Sequence, residues 1–359
     1  MDNFHLQARS YSLFLSAIKS EHTKEIYVYH LERFLTWNKD CKDYDDLLKA
    51  DEKSIQRKLE DYVMYLKLNF SPNYIPTIFK PVELFYTMNK VNINSKLLHK
   101  MFPETIKKGG YGAYTREHIQ TMLENTPKLR TKALILFFAS SGCRVGVIPE
   151  LKLGHITNYE DCKRVVCYAD SKDEYVTFMT PEASKVFDEY LEQRQNDKER
   201  LTSDSPAFRK KYYLGSNPSQ GMGIETIRGC ISLSMKNVSK TKKGNRFNIP
   251  TVHGFRKYFN IVLKQRQESN ISLCEKLMGH SVLVPLDNAY APFEDTKLFE
   301  EYKKVIPELT ISNEERLRKQ IKQQKEESNS SQQMKKEISD MKERFASLEE
   351  IIKRLSEKD

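Results

Sequence analysis

Residues 163–180 read Lys-Arg-Val-Val-Cys-Tyr-Ala-Asp-Ser-Lys-Asp-Glu-Tyr-Val-Thr-Phe-Met-Thr. Two β-prone runs, 163–169 and 174–180, flank the turn formers Asp170-Ser171-Lys172-Asp173. The stretch predicts a β-hairpin with Lys172 at its tip. Its surroundings read as helix. Upstream, residues 130–141 carry the unbroken apolar run Ala133–Ala139, the pattern of a buried helix. Before them Thr115 suits the N-cap of a helix running through Leu123, with Glu117 favourably placed in the first turn. Downstream, Pro181 fits the first position of another helix. Further helices are expected near 225–238, 251–268, 271–279 and 294–305. The hairpin therefore sits inside a helical domain, and the fold class is mainly α with a small β-hairpin sheet.

The first hundred residues are helical throughout. Ile26, Tyr27, Leu31, Phe34 and Leu35 form a stripe along residues 23–37, and Ile55, Leu59, Tyr62, Val63 and Leu66 form another along 54–68. A third helix is expected over 75–88, its start blurred by Pro76 and Pro81. Residues 107–114, Lys-Lys-Gly-Gly-Tyr-Gly-Ala-Tyr, have the glycine content of a linker. The expected organisation is a helical domain over 1–106, a linker over 107–113, a second domain over 114–312, and a charged helical tail over 313–359. In the tail Met334, Ile338, Met341, Phe345, Leu348, Ile352 and Leu355 recur in steps of four and three, a coiled-coil seam. A single helix packed on its own domain is the other reading of it.

The net charge of +10 favours a polyanionic partner, nucleic acid first and an acidic membrane surface second. No apolar run approaches the roughly 20 residues of a membrane span, and residues 1–5 lack the features of a signal peptide. A cytoplasmic location follows as an expectation. The six cysteines form no C-x-x-C pair, so neither a zinc site nor a disulfide framework is expected.

Three short motifs complete the pattern: Gly142-Cys143-Arg144 after the buried helix, His253-Gly254-Phe255-Arg256, and Leu277-Met278-Gly279-His280-Ser281. Tyr290 follows ten positions after His280. His253 and Arg256, three apart, share one helical face. Cleaving a phosphodiester with a side-chain nucleophile builds negative charge on the non-bridging oxygens. Two arginines can each meet that charge with forked hydrogen bonds. A histidine can take the nucleophile's proton or hold the phosphate, and a lysine can protonate the leaving oxygen. A tyrosine ester conserves the bond energy, so neither ATP, another cofactor nor a metal is called for.

These motifs, in this order, resemble the catalytic constellation of tyrosine recombinases, the family of phage and archaeal integrases and Xer enzymes. The resemblance covers residues 114–311 well and 23–37, like the family's core-binding domain, more loosely. It does not reach the tail. The closing stretch Tyr290-Ala291-Pro292-Phe293, with Glu301-Tyr302 and residues 306–310, is most similar to archaeal integrases. It implies two domains that clamp duplex DNA. It also implies phosphate-binding roles for Arg144 and Arg256 with His253 as companion, and His280 at the scissile phosphate. Lys172 would be the mobile general acid and Tyr290 the nucleophile. Lys163 and Tyr302 stand as the rivals for the last two roles. The implied partners are double-stranded DNA and further copies of the chain in a tetramer on DNA, and an accessory DNA-bending factor is allowed. Location at the nucleoid would follow.

Two departures stand out. Where the family commonly carries a glutamate three residues after the first arginine, this chain has Val147, with Glu150 the nearest substitute. The gap from the histidine to the tyrosine is ten rather than nine, with Pro285 between them. Rival readings are a type IB topoisomerase-like enzyme that relaxes DNA and a degenerate homologue that only binds it.

Overall fold

A computed structural model describes residues 8–106, 112–211, 219–238, 242–243, 246–280, 295–314, 316–317 and 341. The chain divides into two compact units, Met1–Gly109 and Gly110–Asp359. Among the described residues no helix is long and apolar enough to cross a membrane. Much of the expected linker, and nearly all of the expected coiled-coil tail, lies outside the described residues. Asn313, Glu314, Arg316 and Leu317, at the start of that tail, are helical.

The first unit holds helices α1 (Arg9–Ser16), α2 (Glu21–Trp37), α3 (Glu52–Asn69), α4 (Ile75–Met88) and α5 (Ser95–Met101). Helix α3 begins at Asp51, whose carboxylate accepts the amides of Lys53 and Ser54 at 3.0 and 3.1 Å. Its buried face is Ile55, Leu59, Tyr62, Val63 and Leu66, the stripe read from the sequence. Pro76 sits harmlessly in the first turn of α4, and Pro81 is buried within that helix. Phe34 meets Tyr62 edge-on at 4.8 Å, joining α2 to α3 in one core. The sequence reading of a helical first hundred residues did not place α1 and α5, which are eight and seven residues long, too short to show more than two turns of periodicity.

The second unit is built round α7 (Leu129–Ser141), buried over Ala133–Ser141. Helix α6 (Arg116–Glu124) precedes it, capped by Thr115 as expected. Strands β1 (Ile156–Tyr159), β2 (Cys162–Cys167) and β3 (Tyr175–Met179) form an antiparallel sheet in that order. The expected hairpin is β2–β3, with Lys163 opposite Met179 and Cys167 opposite Tyr175. Strand β1 was not legible: it is four residues long, and its turn into β2 uses Glu160 at φ +51°, a conformation the sequence does not advertise. Helix α8 (Pro181–Asn196) follows, with Pro181 in the first turn. Then come α9 (Ile224–Ser234), a two-residue hairpin of β4 (Lys242–Lys243) and β5 (Arg246–Phe247), and α10 (His253–Lys264). Helices α11 (Ile271–Leu277), α12 (Asp295–Lys303) and α13 (Ile306–Leu309) follow.

A buried ion cluster stabilises the end of α8. Arg194, fully buried, donates to Glu199 through Nη2 at 2.7 Å and Nε at 3.0 Å, and Arg209 meets the same carboxylate at 3.0 Å. Burial alone would raise the Glu199 carboxyl, but hydrogen bonds from Arg194 and Ser219, with the two arginine charges, hold it below its ordinary value. A depressed folded value contributes stability above the ordinary carboxylate range that is lost as pH falls through it. Glu199→Gln takes from the fully buried Arg194 its carboxylate partner and from Arg209 one of two, Asp197 being the other, and is expected to cost about 3–5 kcal/mol. Urea unfolding checks this, and the variant's stability should also depend less on pH below about 4.5.

Candidate active site

Three chain reversals build the site. At the first, α7 stops at Ser141 and Gly142 turns at φ +58°. A methyl group there would collide with the ring of Phe259 on α10, so the position requires glycine for both conformation and space. Cys143 is buried, and Arg144 then opens a short 3-10 turn over Val145–Val147. At the second, His253 is the first residue of α10, which sets Arg256 one turn on with its side chain buried. At the third, α11 ends in a Schellman motif. The amide of Gly279, at φ +61°, donates to the carbonyl of Lys276 at 2.8 Å, and that of His280 to the carbonyl of Glu275 at 2.9 Å.

The two guanidiniums tie these reversals together. Arg256 donates from Nη1 to the carbonyl of Gly142 at 2.8 Å and from Nη2 to the carbonyl of Met278. Arg144 donates from Nη2 to the carbonyl of Gly279 at 2.9 Å. Its guanidinium carbon lies 6.0 Å from the ring centre of Tyr175, the first residue of β3. The helix ends thus present unpaired carbonyls, and the arginines satisfy them. Burial lowers the Arg256 pKa, with the neighbouring Arg144 charge adding to the effect, yet an arginine remains a cation across the working range. His253 is pushed down by burial first, then by Arg256, Lys257 and His280, so its imidazole is neutral at pH 7. The His280 side chain is exposed; its Nδ1 lies 2.5 Å from Oε2 of Glu275, and Lys264 on α10 pairs with Oε1. Arg144, His253, Arg256 and His280 are therefore brought to one place from three separate parts of the chain. Among the described residues, no group of three or more His, Cys, Asp or Glu side chains could hold a metal ion.

No family model and no curated protein matches the chain. Solved structures do. The Tn1549 transposon integrase in complex with transposon right end DNA is 13% identical, over 82% of this chain and 98% of that one, with a TM-score of 0.52. A lambda integrase tetramer bound to a Holliday junction is 14% identical, over 76% of this chain and 75% of that one, with a TM-score of 0.50. The chain has the tyrosine recombinase fold.

Within this tyrosine recombinase fold the remaining candidates separate. Lys172 is exposed at the tip of the β2–β3 hairpin. The tip is ordered by its own chain: the amide of Asp170 donates to Glu174 at 2.7 Å, that of Ser171 to the carbonyl of Tyr168, and that of Glu174 to the carbonyl of Ser171. Lys163 lies at the opposite end of the hairpin, buried, with Nζ donating to Asn158 at 2.7 Å and pairing with Asp188 at 2.9 Å. Tyr290 lies outside the described residues, in the segment 281–294. That segment leaves from His280 and rejoins at Asp295, which accepts Nε of Arg164 on β2 at 2.6 Å. Tyr302 is wholly buried among Phe178 and Phe259, and its hydroxyl donates to the carbonyl of Ser140 at 2.9 Å. Burial raises its pKa well above the ordinary value. Val147 is a core residue, and Glu150 is exposed.

The sequence reading missed Tyr175, Glu275 and Lys264. Tyr175 is an ordinary strand residue by type, but its ring is the floor under Arg144 and Gly279. A methyl group at Gly279 would collide with that ring. Gly279→Ala is expected to lose about 1–2 kcal/mol to the left-handed backbone and about 1–3 kcal/mol to displacement of Tyr175. A fall of that total in chemical unfolding, with the α-helical circular dichroism kept, is the expected result.

Proposed function

We propose that this protein is a site-specific DNA recombinase that breaks and rejoins duplex DNA through a 3′-phosphotyrosine at Tyr290. The observation that carries the reading is the convergence of Arg144, Arg256, His253 and His280 beside the hairpin that bears Lys172. A scissile phosphate bound there meets two permanent cations whose planar donors match its non-bridging oxygens. Losing one such donor in comparable sites costs on the order of 10²–10³ in rate. His253, neutral at pH 7, can accept the Tyr290 proton or hydrogen-bond the phosphate. The Tyr290 oxygen attacks phosphorus, the bond to the 5′ oxygen breaks, and Lys172 supplies the proton to that leaving oxygen. His280, beside the phosphate, accepts a hydrogen bond from the Tyr290 hydroxyl at its outward ring nitrogen and so orients the nucleophile. A 5′-hydroxyl from a partner duplex then attacks the phosphotyrosine and frees Tyr290. Two such rounds exchange strands through a Holliday junction, on a tetramer of this chain assembled on DNA. The excess of positive charge supplies sequence-independent affinity by releasing counterions.

The test uses the full chain and a nicked suicide duplex that carries a site recovered by binding selection from random duplexes. Cleavage beside the nick releases a short fragment, so the covalent product accumulates. A covalent protein–DNA adduct that forms in the presence of a metal chelator is the expected result. Tight binding without any adduct would leave a DNA-binding accessory protein instead. An adduct accompanied only by relaxation of supercoiled plasmid, with no strand exchange, would leave a topoisomerase-like enzyme.

A further inference from the structure

We infer that Glu275 is the positioning residue for His280: it fixes which ring nitrogen carries the proton, while Lys264 holds the carboxylate in place. The inference rests on the recombinase reading above for its consequence, and on geometry for its content. In the Schellman turn Glu275 and His280 occupy the two positions joined by the outer hydrogen bond, the amide of His280 meeting the carbonyl of Glu275 at 2.9 Å. The same two residues then meet a second time through their side chains, Nδ1 against Oε2 at 2.5 Å. The backbone bond and the side-chain bond together leave the imidazole little freedom.

An ionised carboxylate is an acceptor only, so it requires a proton on Nδ1 and leaves Nε2 facing outward with its lone pair. Burial would raise the Glu275 carboxyl, but the bonds from Lys264 and His280 outweigh it and hold it below its ordinary range. Lys264 takes the other oxygen, Oε1, from α10. The charges facing this pair are Lys264 and His253 from α10, with Arg144 reaching the neighbouring carbonyl of Gly279. The chain Lys264–Glu275–His280 thus orients a histidine by a carboxylate that is itself oriented. In carboxylate-oriented histidines of enzymes, loss of the carboxylate's charge gives the wrong tautomer and a large loss of rate.

The variant Glu275→Gln makes the mechanism visible. Its single side-chain oxygen is claimed by the Lys264 ammonium, which can only donate, so the amide NH₂ turns toward Nδ1. His280 then carries its proton on Nε2. In the double variant Lys264→Met/Glu275→Gln the amide oxygen is free to accept from Nδ1 again. Two readouts on the full chain test this. Long-range ¹H–¹⁵N spectra of histidine-labelled protein at about pH 8.5, roughly two units above the ordinary imidazole value, report the tautomer, with His280 assigned by loss of its signals in His280→Gln. Single-turnover cleavage of the suicide duplex at saturating DNA reports the consequence.

The expected results are an Nδ1–H tautomer in wild type, Nε2–H in Glu275→Gln, and Nδ1–H restored in the double variant. Cleavage should fall about 10- to 100-fold in Glu275→Gln and recover in the double variant. A merely structural role for Glu275 predicts no such rescue. An Nε2–H tautomer in wild type, or a Glu275→Gln protein with unchanged tautomer and rate, overturns the inference. A wild type that cleaves no DNA defeats the recombinase reading, while the tautomer measurement still decides the role of Glu275.

Discussion

Tyr290→Phe is expected to abolish the covalent adduct while leaving affinity for the same duplex within about twofold. The substitution removes one oxygen. If that oxygen is the nucleophile, the phosphotyrosine cannot form at this position, and the loss is complete rather than graded. The contrast is Tyr302→Phe. Its hydroxyl is spent on the carbonyl of Ser140 at 2.9 Å in a fully buried setting, and it cannot reach a phosphate without unpacking α12 from α7 and β3. Removing it leaves that carbonyl unsatisfied, a cost of about 1–3 kcal/mol. Tyr302→Phe should therefore be less stable in urea and still form the adduct. Denaturing electrophoresis of both variants on the suicide duplex separates the cases. An adduct that persists in Tyr290→Phe would sink the assignment of the nucleophile.

Arg256→Lys is expected to lower the single-turnover cleavage rate about 10²–10³-fold, with a smaller cost in stability. Arg256 serves two purposes in one place. Its donors to the carbonyls of Gly142 and Met278 join the end of α7 to the end of α11. Its remaining N–H groups belong to a planar fork that a phosphate can meet in two-point fashion. Lysine keeps the charge, but its ammonium cannot bridge two carbonyls on different elements and also face a phosphate with fixed geometry. Stability should fall by about 1–3 kcal/mol, the cost of leaving a buried acceptor unpaired. A rate loss no larger than that in a variant equally destabilised elsewhere, such as Tyr302→Phe, would mean that Arg256 is structural only. Measuring cleavage well below the melting transition of both variants makes the comparison fair.

Much of the architecture was legible from local pattern. The stripe on α3, the buried run of α7, the N-cap at Thr115, the proline start of α8 and the turn at Lys172 each depend on neighbours within a few residues, where periodicity and capping chemistry operate. Strand β1 escaped because four residues and a left-handed glutamate carry no such signal. Of the site, Gly142 and Gly279 announced turns, and the types and order of Arg144, Lys172, His253, Arg256 and His280 raised the expectation of phosphate chemistry. Glu275 could have been found too: a glycine at the end of α11 already implies that the residues four before and one after it meet.

The sequence by itself determined the longer helices, the hairpin, the glycine turns and the candidate residues, because those follow from local conformational preference and side-chain chemistry. Tertiary structure alone decided three things. It placed Arg144 against Gly279, 135 positions along the chain, and Arg256 against Gly142, 114 positions away. It gave Lys163 to Asn158 and Asp188, and Tyr302 to Ser140. It set the Tyr175 ring under Arg144 and Gly279. The reason is common to all three. Which buried donor meets which orphaned carbonyl depends on how α7, α10, α11 and the sheet pack, and packing is a property of the whole core rather than of any window of sequence.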